Sequence, residues 1–129
     1  LDLFCGVGTL GIEAISRGAK SVKFVDNNRQ AIAILKQNLS LLSIDSEQTI
    51  INSDVMKFIS NEEEKYDLIL ADPPYRKFNL EDFLPSLSSN MLNNGIFCYE
   101  TGKHEHTDNL ELKIKKFGST QLIFWRKNV

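Results

Sequence analysis

The stretch "LDLFCGVGTLGIEA", residues 1–14, decides the fold. A short apolar run, Leu1 to Cys5, reads as the end of a buried strand. A glycine turn follows, and a helical pattern opens at Thr9. Gly6, Gly8 and Gly11 match the G-x-G-x-x-G spacing of a strand–turn–helix nucleotide site. Gly6 and Gly8 let backbone approach a ligand closely, and Gly11 lets the helix pack on the strand. Alone the pattern is weak, because many tight strand–helix turns carry glycine for conformation only. Asp2 adds to it. A carboxylate does nothing to hold a pyrophosphate, and at the end of a buried strand it costs several kcal/mol unless paired or hydrogen-bonded. The ligand expected here carries a cationic group as well as a nucleoside.

Working outward, the chain alternates. Thr9 is a candidate N-cap for a helix to about Arg17, with Gly18 as its stop. "SVKFVD" reads as a second strand. A helix from about Asn28 follows, with Ile32, Leu35, Leu39 and Leu42 on one face. "TIIN" is a third strand, and "DVMKFIS" a short helix capped by Ser53 or Asp54. "YDLILA" is nearly all apolar, as in a parallel strand buried on both faces. A helix from about Leu80 takes Leu80, Phe83, Leu84, Leu87 and Met91 as its apolar set, with Pro85 as a kink or a late start. "NNG" ends that helix, "IFCYE" is a fifth strand, and "TGKHEHTDN" a polar surface loop. The tail reads as two strands turning at Gly118 and Ser119. The expected fold is a doubly wound, Rossmann-like, mostly parallel α/β sheet closed by an antiparallel hairpin.

Composition sets the class. At 129 residues the chain is one domain by length, and 42% apolar with 25% charged residues is ordinary for a globular protein. A net charge of -2 excludes a polycation, which weakens a nucleic-acid substrate without excluding it. Cys5 and Cys98 show neither pairing nor metal-ligand spacing, so a reducing, cytoplasmic setting is expected. No run is suited to span a bilayer. Residue 1 already reads as strand interior, so a missing N-terminal segment is expected upstream.

The chemistry-bearing residues fall at the carboxyl ends of the strands, where ligands of such sheets bind. Asp26 stands twenty residues after Gly6, placed to bind ribose hydroxyls. Its structural alternative is a helix N-terminal acid beside Asn27 and Asn28. Asp54 either accepts from an adenine amino group or caps the next helix. "DPPY", Asp72 to Tyr75, joins a carboxylate, two prolines that remove donors and stiffen the loop, and an aromatic face. It describes a slot for a flat group bearing an amine, or else a rigid turn with a packed tyrosine. Cys5 and Cys98 read as core. His104 and His106, which flank Glu105 in that polar loop, lack a third metal ligand, so no metal is expected. Lys113, Lys115, Lys116, Arg126 and Lys127 form a wet hairpin edge or a phosphate-contacting rim.

In this order, Asp2, the glycine turn, Asp26, Asp54 and "DPPY" resemble the class I S-adenosylmethionine-dependent methyltransferases. "DLFCGVGTLGIEAISRGAKSVKFVD" and "LILADPPY" are similar, more narrowly, to the RsmD-type methyltransferases, which modify the exocyclic N2 amine of a guanine in small-subunit (16S) ribosomal RNA. The similarity runs through all 129 residues. It implies S-adenosylmethionine as cofactor and ribosomal RNA or the small ribosomal subunit as partner. The backbone of Phe4, Cys5, Gly6 and Gly8 would pass under the cofactor, and Asp2 would meet its ammonium group. Asp26 would hold the ribose with Asn27 beside the adenine, and Asp54 and the Val55 amide would take the adenine edge. Asp72, Pro73, Pro74 and Tyr75 would receive the target base. The family usually has glutamate at the Asp26 position, and an arginine-rich segment before the first strand.

Within the same class, adenine in DNA or glutamine in protein are alternative targets. Those enzymes more often carry asparagine where Asp72 stands. A nicotinamide-dependent oxidoreductase fits the glycines and Asp26, but not Asp2 or "DPPY". A non-catalytic nucleotide- or RNA-binding module is the remaining alternative. A monomer is expected.

Overall fold

The glycine turn falls where the spacing places it, but the elements beside it are held differently from a simple capped helix. The computed structural model describes residues 1–74, 79–102 and 112–128, apart from the side chain of Asp82. These residues gather into two compact units, Leu1–Phe58 and Ile59–Val129.

In the first unit β1 (Asp2–Leu3), β2 (Ser21–Asp26) and β3 (Glu47–Asn52) lie parallel in the order β3-β2-β1. The helices α1 (Thr9–Ser16) and α2 (Arg29–Ser40) connect them. Phe24 from β2 sits in a core with Cys5, Ile32, Leu35 and Leu39, against which Ile12 and Ile15 pack. That core carries the helical spacing seen in the sequence as far as Leu39. Leu42 lies past the end of α2 and is exposed. Asn28 stands just outside α2 as its N-cap, its side chain accepting from the amides of Gln30 and Ala31. This satisfies two of the amides that a helix start leaves without partners. α3 (Val55–Asn61) starts after Asp54, whose Oδ2 accepts from the Lys57 amide at 3.0 Å.

Thr9 is not a cap. It is the first residue of α1, and the N-cap is Gly8, at φ +90° and without a side-chain bond. The helix start is held from beneath instead, by Asp2.

In the second unit β4 (Tyr66–Ala71) and β5 (Met91–Thr101) pair in parallel, with α4 (Leu80–Ser88) between them in sequence. β6 (Leu112–Phe117) and β7 (Thr120–Arg126) turn at Gly118 and Ser119, as expected, and β7 pairs antiparallel with β5. Strand order is β4-β5-β7-β6. Phe97 packs edge-on against Phe83 of α4 at 5.9 Å between ring centroids and lies 6.0 Å from Tyr99.

Two expectations need correction here. Met91 belongs to no helix and "NNG" ends none: α4 stops at Ser88, Met91 pairs with Tyr66, and residues 93–95 lie inside β5. The register jumps between Tyr66 and Leu68, so three extra β5 residues bulge out, with Asn94 at φ +65°. The Asn94 amide donates to the Lys127 carbonyl and the Lys127 amide to that of Gly95, tying the bulge to the chain after β7. Lys127 is likewise not part of a rim. Its ammonium donates to the carbonyls of Ser88 and Met91 at 2.6 and 3.1 Å, a cation at the carboxyl end of α4. Pro85 lies inside α4.

Candidate functional site

The first cluster is built on the turn after β1. Phe4, Gly6 and Gly8 all have positive φ, at 54°, 54° and 90°. For glycine this is free; for Phe4 it costs on the order of 1–3 kcal/mol, strain that is commonly stored at functional sites. A side chain at Gly6 would meet nothing within 4 Å, so the backbone there faces open space. At Gly8 a side chain would run into Leu35, and at Gly11 into the Phe24 ring and the Asp2 carboxylate. Gly8 and Gly11 therefore serve packing, and of the three only Gly6 has room for a side chain.

Asp26, at the end of β2, ties the turn together. Its Oδ2 accepts from the Gly6 amide at 2.8 Å and its Oδ1 from the Asn28 amide at 2.8 Å. The side chain stays half-buried. Ser53 donates its amide, and Asn52 its side-chain amide, to the Asp26 carbonyl. Asp26 thus links the ends of β2 and β3 to the glycine turn, and its bond to the Asn28 amide is that of an acid ahead of α2. Asn27 beside it is exposed.

Asp2 is 1% exposed, and its Oδ2 accepts from the Gly11 amide at 2.9 Å. Its bond goes to the first turn of α1, where a negative charge is favoured. Cys5, in the same turn, is buried. Loss of water, then the charges of Asp2 and Asp26, push its thiol pKa far above the usual range, so it is a packed neutral thiol. Asp54 is exposed and caps α3, and Val55, the first residue of α3, is buried. A recess lined by Val7, Thr9, Ile12, Asn38 and Leu41 lies on the helix side and holds none of these acids.

The second cluster lies in the second unit. Asp72 follows directly on β4, with Pro73 half-buried and Pro74 exposed. Asp72 is an exposed residue overall, yet protein around its carboxyl displaces enough water to raise its pKa. Tyr75 falls outside the described residues, as do His104, Glu105 and His106. Glu100, near the end of β5, carries a pKa raised first by burial and then by the charge of Asp72. Sequence reasoning passed over Glu100. Its signal was available: an acid at the carboxyl end of a strand in a sheet that binds ligands at such ends. Cys98, two residues earlier, is pushed up to about 11 by burial and by Glu100. Lys113, Lys115 and Arg126 line a groove with Ile96, Phe124 and Trp125. Among the described residues no three His, Cys, Asp or Glu side chains group to hold a metal, and no helix is long and apolar enough to cross a membrane.

A glycine turn at the end of β1, an acid at the end of β2 and a mostly parallel sheet closed by antiparallel strands define a class I methyltransferase fold. Solved structures agree. A conserved hypothetical protein from Streptococcus pyogenes superimposes with TM-score 0.88 over 98% of this chain and 84% of that one, at 27% identity. Magnesium protoporphyrin IX methyltransferase from Synechocystis, solved with bound S-adenosylmethionine, shares the fold at TM-score 0.72 and 16% identity, over 98% of this chain and 68% of that one. The chain belongs to the family described as conserved hypothetical protein 95, which matches residues 1–126. It is 38% identical over 109 residues to Ribosomal RNA small subunit methyltransferase D of Haemophilus influenzae, a match covering 80% of this chain and 56% of that protein. The chain spans about half the length of the curated relatives it matches.

Proposed function

We propose that this protein transfers a methyl group from S-adenosylmethionine to the exocyclic N2 amine of a guanine in 16S ribosomal RNA. The observation that carries this reading is the Gly6–Asp26 bond. It holds an open, strained turn and a half-buried acid together in a chain whose family relatives are named as ribosomal RNA methyltransferases. The donor set fits the cofactor. Gly6 offers a backbone surface with nothing above it, which a side chain would fill. Asp26 presents a carboxylate already oriented by two amides, suited to a ribose diol. Asp54 and the Val55 amide would take the adenine edge, with Asn27 and Phe4 at its sides. Asp2, buried under the turn, would act on the ammonium group through its charge while holding the Gly11 end of the turn.

When bound, S-adenosylmethionine supplies a methyl group made electrophilic by its sulfonium, so the protein needs no nucleophile of its own. The raised pKa values of Cys5 and Cys98 accord with that. The residues' task is to prepare the amine, whose lone pair is delocalised into the guanine ring. Asp72 and the Pro73 carbonyl would accept its N–H bonds and direct the lone pair. The Asp72 carboxylate would also offset the positive charge that grows on that nitrogen. Tyr75 would stack on the base once it is turned out.

The test is transfer of labelled methyl by the whole protein to RNA, DNA and protein pools, followed by nucleoside analysis. Label recovered as N2-methylguanosine from 16S RNA is the expected result. Label in adenine or glutamine, or tight NAD binding without response to S-adenosylmethionine, would overturn it. Asp72→Ala should bind S-adenosylmethionine nearly as before and lose turnover.

A further inference from the structure

β4 and β5 are parallel, with Ala71 and Tyr99 as register partners. The next residues along, Asp72 just past the end of β4 and Glu100 in β5, are therefore neighbours across the pair. On its other flank Glu100 is paired in register with Leu122 of β7, and Cys98 precedes it on its own strand. Among the described residues neither acid forms an ion pair with a lysine or arginine. Two adjacent carboxylates repel each other, and a ligand that donates to both relieves that repulsion. They lie at the strand ends where ligands of this fold bind, beside a proline-stiffened loop.

Two ionised carboxylates are acceptors only. The base that complements them shows two neighbouring donors. Guanine does so on its Watson–Crick edge, with N1–H next to the N2 amine. Adenine shows an acceptor at N1, which a carboxylate repels. We infer that Glu100 is a specificity-determining residue, accepting the N1–H of the same guanine whose N2 amine Asp72 holds. This rests on the reading of the protein as a guanine-N2 methyltransferase and goes one residue further, to how the base is chosen.

The test compares RNA carrying guanine at the target position with RNA carrying 2,6-diaminopurine there. That analogue keeps the N2 amine and replaces N1–H with an acceptor. The wild-type protein should prefer guanine by about 100-fold or more in kcat/KM, as a site built around a hydrogen bond does. Glu100→Ala should lose most of that preference by losing rate on guanine alone, with S-adenosylmethionine affinity unchanged. Glu100→Gln retains an acceptor, replaces the side chain without a change of shape, and should keep a larger share of the preference than Glu100→Ala. It also keeps the test open should Glu100→Ala fold poorly. Undiminished discrimination in both variants, beside an active wild type, overturns the inference and leaves the enzyme reading intact. A wild type that labels no guanine N2 overturns that reading and the inference with it.

Discussion

The carboxylate of Asp26 accepts the amide of Gly6 at 2.8 Å across twenty residues of sequence, joining the end of β2 to the turn after β1. The same carboxylate holds the Asn28 amide at 2.8 Å, ahead of α2. One side chain thus ties the glycine turn to the start of α2.

Asp26→Ala removes the acceptor of both amides. Loss of a charge-assisted acceptor at a partly buried site should cost about 2 kcal/mol of stability. S-adenosylmethionine affinity should fall further than stability does. Urea denaturation and calorimetry on the same preparation check the two effects separately.

Gly6→Ala and Gly11→Ala should separate binding from folding. At Gly6 a methyl meets nothing, so the cost is the left-handed backbone alone, about 1–2 kcal/mol, while cofactor binding weakens because the open surface is filled. At Gly11 a methyl meets the Phe24 ring and the Asp2 carboxylate, and overpacking of about 1–3 kcal/mol should dominate. Thermal melts with and without S-adenosylmethionine distinguish them: ligand should raise the Tm of Gly11→Ala, and of Gly6→Ala much less.

The raised pKa values of Asp72 and Glu100 predict a pH dependence of definite sign. Both carboxyls hold a proton more tightly folded than unfolded. Their contribution is therefore most favourable below the ordinary carboxylate range and is lost as pH rises through the folded values. At neutral pH Glu100→Gln should be the more stable protein, by no more than about 1 kcal/mol because both groups remain partly in water. Its advantage should shrink on acidification. Paired denaturation curves between about pH 4 and pH 7 measure this directly.

Asn90 is buried, and its side-chain amide donates to the carbonyls of Glu62 and Glu64 at 2.8 and 3.1 Å. Its own carbonyl accepts the Tyr66 amide as β4 begins. Asn90→Ala should destabilise by about 1–3 kcal/mol by removing a buried side chain and the two hydrogen bonds it donates. Chemical denaturation should show that loss, with S-adenosylmethionine affinity of the folded protein unchanged.

Local pattern was enough for most elements. Ile32, Leu35 and Leu39 in α2 are buried as their helical period requires, and Val22, Phe24 and Val25 bury both faces of β2. It failed where a distant strand overruled it. Met91 falls four residues after Leu87, a helical interval, yet it pairs with Tyr66, and the bulge behind it is held by Lys127. Thr9 has the chemistry of a cap, but Gly8 already sits in a left-handed turn and Asp2 reaches the Gly11 amide from below.

The amino-acid order alone determined the alternation of strands and helices, the glycine turn, and the acids at the strand ends. These depend on spacing, side-chain polarity and the freedom of glycine, all local properties. Only the tertiary structure decided which atoms those acids hold: Asp2 the Gly11 amide, Asp26 the Gly6 and Asn28 amides, Asp54 the Lys57 amide. It alone set Glu100 beside Asp72, because strand register is fixed by pairing between segments far apart in the chain.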